Sequence, residues 1–146
     1  MPDPVIPLDE LRRRLEAEFP EAFHPQSSLS IVRIAHGMAQ LRYAFRPRSL
    51  RPGGTIAGTA MMTLADATMY IAVLASIGWV PLAVTTNLSI NFLKKPGPRA
   101  LEAECRLLKL GKRLAVGEIS IRSEGDDELA AHATLTYSIP PHRPVK

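Results

Sequence analysis

At 146 residues, 46% of them hydrophobic and 22% charged, the chain has enough material for one well-packed domain and little for a second. The net charge of +4 favours anionic partners, but the basic residues fall in small scattered groups and aromatics make up only 5%, which argues against nucleic acid as a partner. A single cysteine, Cys105, excludes an internal disulfide framework and suits a reducing compartment. Met1–Pro7 carries Asp3 and no apolar run, so it lacks the pattern of a signal peptide and a cytoplasmic location is expected.

Residues 1–27 read as a helix and its lead-in, 28–139 as the main domain and 140–146 as a flexible tail. Leu8, Leu11, Leu15 and Phe19 recur at helical spacing among charges, predicting an amphipathic helix over Leu8–Glu18 that Pro20 stops. Residues 28–36 and 38–45 alternate apolar and polar around Gly37, as two strands joined by a tight turn do. The Pro- and Gly-rich segment 46–54 reads as a loop.

From Pro52 to Leu93 the only charged side chain is Asp66. It sits within Ala57–Ala75, which reads as a helix apolar nearly all round and ending near Gly78. Ala67–Val84 approaches the length of a membrane span. Gly78, Pro81, the many small polar residues and the strand that follows favour a buried core helix instead, with no membrane span. After Pro81 the period falls to two: Thr86, Leu88, Ile90 and Phe92 are expected on one face, and Thr85, Asn87, Ser89 and Asn91 on the other. Pro96–Pro98 is a turn. Leu101/Ala103/Cys105/Leu107, Ala115/Gly117/Ile119/Ile121 and Ala131/Ala133/Leu135/Tyr137 mark the inner faces of three further strands, the last two joined by a hairpin turn at Gly125–Asp127.

The order predicts an α+β domain in which about six antiparallel strands curve around the long helix. A helix apolar on every side must be covered on every side, so a second subunit is expected to supply what the sheet leaves open. A buried carboxylate needs either a partner or a chemical task. For Asp66 the structural alternative is a hydrogen bond to Thr63, Tyr70 or a partner helix.

Four segments carry a family resemblance. Residues 58–67 (Gly-Thr-Ala-Met-Met-Thr-Leu-Ala-Asp-Ala), 85–96, 110–116 and 130–137 resemble the hotdog-fold acyl-CoA thioesterases of the phenylacetate-degradation type, over roughly residues 28–139. The resemblance implies a hotdog fold, a homodimer or a dimer of dimers, and an acyl-CoA substrate. It implies no cofactor beyond the coenzyme A of that substrate. Asp66 matches the family's catalytic carboxylate and Gly58 its first helical glycine. The family opens this helix with His-Gly-Gly, and here Ala57-Gly58-Thr59 stands in those places. A family Asn or Gln position falls on Arg51.

On this reading the Gly58 N–H, at the positive end of the helix, polarises a thioester carbonyl, and Asp66 acts as general base or nucleophile. The two lie eight residues apart, about 12 Å along a helix, so a shared site needs both subunits. Tyr70, one turn beyond Asp66, is expected to line the acyl pocket or orient the acid, or to be a plain core residue. Thr59 is expected to cap the helix or touch the thioester. Asn87 and Asn91 are set against the pantetheine arm or an ordinary solvated face. Ala57, Ala60 and Ala67 leave room for an acyl group. Lys94, Lys95, Arg99, Lys112 and Arg113, expected at neighbouring turns, are candidates for the coenzyme A phosphates. No histidine has metal-ligand spacing, so no metal is expected. Two rival readings stand beside the thioesterase one. The missing histidine favours an acyl-CoA binder with little or no turnover, and a hydratase or dehydratase would have to draw His36 or His132 from a strand, since no histidine accompanies Asp66 on its helix.

Overall fold

The computed structural model describes residues 2–141; the predicted tail beyond that point lies outside the described residues. Helix α1 spans Leu8–Glu18, and strands β1 (Leu29–Ala35) and β2 (Met38–Tyr43) follow. The predicted loop contains a short 3-10 turn and a minimal hairpin, β3 (Leu50–Arg51) with β4 (Thr55–Ile56). Helix α2 covers Gly58–Ile77, and β5 (Val84–Phe92), β6 (Leu101–Leu110), β7 (Leu114–Ser123) and β8 (Leu129–Ser138) complete the chain. Six strands form one sheet in the order β1-β2-β6-β7-β8-β5, and every pairing is antiparallel.

The sheet wraps α2. Leu64, Ala65, Met69 and the run Ile71–Ala75 have no exposed surface, and they meet Leu41, Ala103, Ile119, Ile121 and Leu135 from the inner sheet face. At Gly117 an added Cβ would fall 2.6 Å from the Met69 sulfur, so a glycine lets helix and sheet approach there. Buried hydroxyls in α2 are satisfied within the helix: Thr68 donates to the Leu64 carbonyl at 2.6 Å and Ser76 to that of Ala72 at 2.8 Å. Gly78 ends the helix at φ 94°, its N–H bonding the Leu74 carbonyl, a conformation that favours glycine. Cys105 is a core residue whose thiol burial pushes up to about 12. Leu11 and Leu15 seat α1 in the same core, so the N-terminal helix is part of the domain's packing.

Coverage of α2 is uneven. Thr59 and Thr63 are exposed, and Ala60, Met62, Asp66 and Ala67 are only half-buried. Beside this open stripe, edge strand β5 and its flanks expose Leu82 (75%), Val84 (54%), Phe92 (50%) and Leu93 (58%).

The alternation expected along β5 needs one correction. A bulge between Thr85 and Asn87 breaks the register, so Thr85 pairs with Tyr137 while Asn87 pairs with Thr136. The extra residue is Thr86, and Thr85 joins Leu88, Ile90 and Phe92 on the face that looks toward α2.

Candidate active site

Asp66 enters the site from the middle of α2, where β5 and β8 pass beneath it. The Thr85 hydroxyl donates to its Oδ1, and the Tyr137 hydroxyl lies 2.9 Å from the same oxygen and 3.1 Å from the Asp66 backbone carbonyl. All side-chain hydrogen bonds to the carboxylate therefore converge on Oδ1 among the described residues, and Oδ2 is left for a water or substrate. These partners differ from the expected ones. Thr63 is exposed, and the Tyr70 hydroxyl donates to the Pro81 carbonyl at 3.1 Å, so Tyr70 does not orient the acid. Burial, followed by the nearby Asp66 carboxylate, drives the Tyr137 hydroxyl far above its usual range, so it stays protonated and donating. Burial and Glu18 push Tyr70 up to about 12.

The carboxylate opens onto a cleft of about 720 Å³, whose walls include Phe19, Phe23, Thr63, Tyr70, Trp79 and Thr85. Tyr70 and Ala67 line this cleft.

Gly58 lies elsewhere. It lines a second cavity, of about 410 Å³, with Arg51, Met61, Phe92, Lys94 and Lys95. Ala57 is the residue that caps the helix start, in extended conformation and with no side-chain cap. Thr59 therefore does not cap the helix; it sits inside the exposed first turn. The Gly58 and Thr59 N–H groups of that turn, with the helix dipole behind them, are available to an anionic oxygen, whereas the Ala60 N–H bonds the Ala57 carbonyl at 3.1 Å. An added Cβ on Gly58 would meet the Phe92 ring at 3.1 Å, so the glycine keeps this approach open.

The N-terminus and the middle of one helix thus serve two cavities, amide donors beside one and an acid beside the other. A helix of this kind wrapped by a six-stranded antiparallel sheet has known counterparts. The sequence model of the thioesterase superfamily matches residues 53–130. The chain belongs to the thioesterase superfamily. A protein of Silicibacter sp. TM1040, provisionally named a thioesterase, shares 46% identity over 95% of each chain, with a TM-score of 0.85. A protein of Saccharolobus solfataricus, provisionally named an esterase, is 30% identical over 93% of this chain and 87% of its own length. A Streptococcus mutans protein crystallised with acetyl-CoA shares the fold at 24% identity and a TM-score of 0.69, over 83% of this chain and 95% of that one.

The remaining predicted residues of this superfamily member separate. Arg51 does reach the Gly58 cavity. Lys94 does too, but its ammonium is held by Asp126 at 2.7 Å and lies 3.8 Å from Glu128. That pairing raises the lysine's proton affinity and lowers Asp126 below the usual carboxylate range. Lys95 lines the cavity without an ion pair among the described residues. The basic residues do not share neighbouring turns within one chain. Strand register puts Lys94, Lys95 and Arg99 at the Phe92–Ala131 end of the sheet and Lys112 and Arg113 at the opposite end, beside Ser138 and Val84. Antiparallel hairpins alternate ends, and the expectation overlooked this parity. Asn87 pairs opposite Thr136 and Asn91 opposite His132, on the outer sheet face and away from both cavities. His132 bonds Glu118 at 2.9 Å on that outer face, and His36 sits at the β1–β2 turn, so neither accompanies Asp66.

Sequence reasoning missed Thr85 and Tyr137. Tyr137 was recognisable as an inner-face residue at the end of β8. Thr85 carried no such signal, because the bulge that turns it inward leaves no mark in a simple period of two.

Proposed function

We propose that this superfamily member is a cytoplasmic acyl-CoA thioesterase of the phenylacetate-degradation type, with active sites built between the protomers of a two-fold dimer. Asp66 of one protomer acts as general base and the Gly58 N–H of its partner receives the carbonyl oxygen. The observation that carries this reading is the Asp66 carboxylate, half-buried at a cleft wall with Oδ1 tied by two hydroxyls and Oδ2 without a partner among the described residues. So restrained, the group takes a proton from water in one orientation as the water oxygen adds to the thioester carbon. Negative charge then forms on the carbonyl oxygen against the amide donors of the partner's helix. Collapse breaks the C–S bond, releases the acid, and returns the proton to the coenzyme A sulfur.

Strand geometry supports the dimer. β5 is a sheet edge with exposed apolar side chains, a surface that self-pairing would cover. Antiparallel self-pairing about a two-fold sets the Val84 end of one β5 against the Phe92 end of the other. It thereby brings each Asp66 cleft toward the partner's Gly58 cavity, and Lys112 and Arg113 toward the partner's Lys95. The unpaired cations of that cavity suit the phosphates of coenzyme A.

Free-thiol release from a panel of acyl-CoAs tests the assignment. The wild type is expected to turn over steadily and Asp66→Asn to lose roughly 10²–10⁴-fold in rate. Equal, slow release from both proteins would favour the second reading, an acyl-CoA binder. That reading rests on Ala57, which offers no side-chain donor beside Gly58.

A further inference from the structure

The Asp66 cleft extends from β5 and β8 to the C-terminal end of α1. A chain of rings marks its course. Tyr137, bound to the carboxylate, lies 6.3 Å from Tyr70; Tyr70 meets the edge of Phe19 at 6.2 Å, and Phe19 meets Phe23 at 5.7 Å. Trp79, Pro81 and Leu82 complete an apolar lining. Only two charged side chains line the cleft among the described residues, and both are carboxylates, Asp66 and Glu18. Arg14 lies over the Trp79 ring at 5.6 Å and is held by Glu10 at 3.1 Å, outside the lining. Helix α1 precedes residues 53–130, the part matched to the superfamily model. Leu11 and Leu15, fully buried, anchor it.

Resting on the thioesterase reading, we propose that this cleft is the acyl-chain site and that Glu18–Phe23 forms its far wall. It selects neutral, apolar acyl groups longer than acetyl over chains that end in a carboxylate. At about 720 Å³ the space falls within the usual range of ligand sites, well beyond the needs of a two-carbon group. Methylenes that enter it leave water for aromatic surface, a gain of up to about fourfold in affinity for each one fully buried. A terminal carboxylate would be desolvated among rings, opposite Glu18 and with no cation in the cleft's own lining among the described residues to receive it.

Trp79 is the sole tryptophan of the chain and lines the cleft, so its fluorescence reports occupancy without turnover. The full-length Asp66→Asn protein, which keeps an amide oxygen for Thr85 and Tyr137, is titrated with acetyl-, hexanoyl-, octanoyl- and adipoyl-CoA. Affinity is expected to rise steeply from acetyl to octanoyl and to fall at least tenfold from hexanoyl to adipoyl. Phe19 is 41% exposed and Glu18 is exposed, so neither substitution threatens the fold. Phe19→Ala should weaken octanoyl-CoA about tenfold and leave acetyl-CoA unchanged, as expected for lost apolar contact. Glu18→Gln should narrow the hexanoyl/adipoyl gap by up to about fivefold, the scale of one exposed charge. Equal effects of Phe19→Ala on all chain lengths, or a gap unmoved by Glu18→Gln, would overturn the proposal. If wild-type turnover is normal while these preferences ignore α1, this inference falls and the thioesterase reading stands. If the preferences appear while the wild type releases no thiol, the acyl site stands and the thioesterase reading falls.

Discussion

The two cavities that α2 serves are opposites. The one at its N-terminus is basic, with Arg51, Lys94 and Lys95 beside uncapped amides and no acidic side chain in its lining among the described residues. The cleft at mid-helix is aromatic and acidic, with Glu18 and Asp66 as its charges. An acyl-CoA has the same division: a polyanionic nucleotide joined through a thioester to an apolar acyl group. Within one chain the two halves lie apart, and the proposed antiparallel pairing of β5 would bring one of each together. The contrast gives the protein an electrostatic direction, and it makes the division of labour between protomers testable.

The sharpest way to break the comparison is to disable one cavity in each protomer. Asp66→Asn and Gly58→Val chains, each inactive alone, should recover about a quarter of wild-type activity when co-expressed. Half of random two-fold dimers then carry one intact site. No recovery on mixing would show that each chain builds its own site. Next in size is Gly58→Ala, whose Cβ would press on Phe92 at 3.1 Å and crowd the amide approach. A loss of about 10²-fold in kcat is expected, the scale of an oxyanion donor, against little change in thermal stability.

Tyr137→Phe removes one of the two hydroxyls on Oδ1. Steady-state kinetics should show kcat falling about tenfold or more, as befits a hydrogen bond to a charged group, with KM unchanged. In the Asp66→Asn background the same substitution should cost little further, because the two act as one unit. Additive losses would mean that Tyr137 merely supports packing. The smallest effects belong to the basic cavity. Lys95→Ala should raise KM for the CoA ester severalfold and weaken its salt dependence, whereas Lys94→Ala should do less because Asp126 already holds that charge. Equal effects would mean that the Lys94–Asp126 pair opens to receive substrate.

Much of this architecture was legible in the residues. The apolar run with one carboxylate foretold α2 and singled out Asp66, because a helix with no polar face has to be wrapped. Alternation placed Ala103, Cys105, Ile119, Leu135 and Tyr137 on the inner face, where they lie. The eight-residue spacing of Gly58 and Asp66 already separated them, since helical rise is fixed. Less legible were the positions that depend on registers between distant strands. Lys112 and Lys95 have similar surroundings in sequence, yet hairpin parity sends them to opposite ends of the sheet. Thr85 looked outward until one extra residue turned it.

By itself the sequence determined the elements, their order, the core faces and the identity of the lone acid, because these follow from local periodicity and the cost of burying charge. Only the tertiary structure decided which hydroxyls hold Asp66, that Gly58 and Asp66 open onto separate cavities of opposite character, and that α1 walls the cleft. Those outcomes rest on a bulge, on strand parity and on the packing of a helix far away in sequence. No local pattern encodes them, because each is settled by contacts formed only when the whole sheet closes around α2.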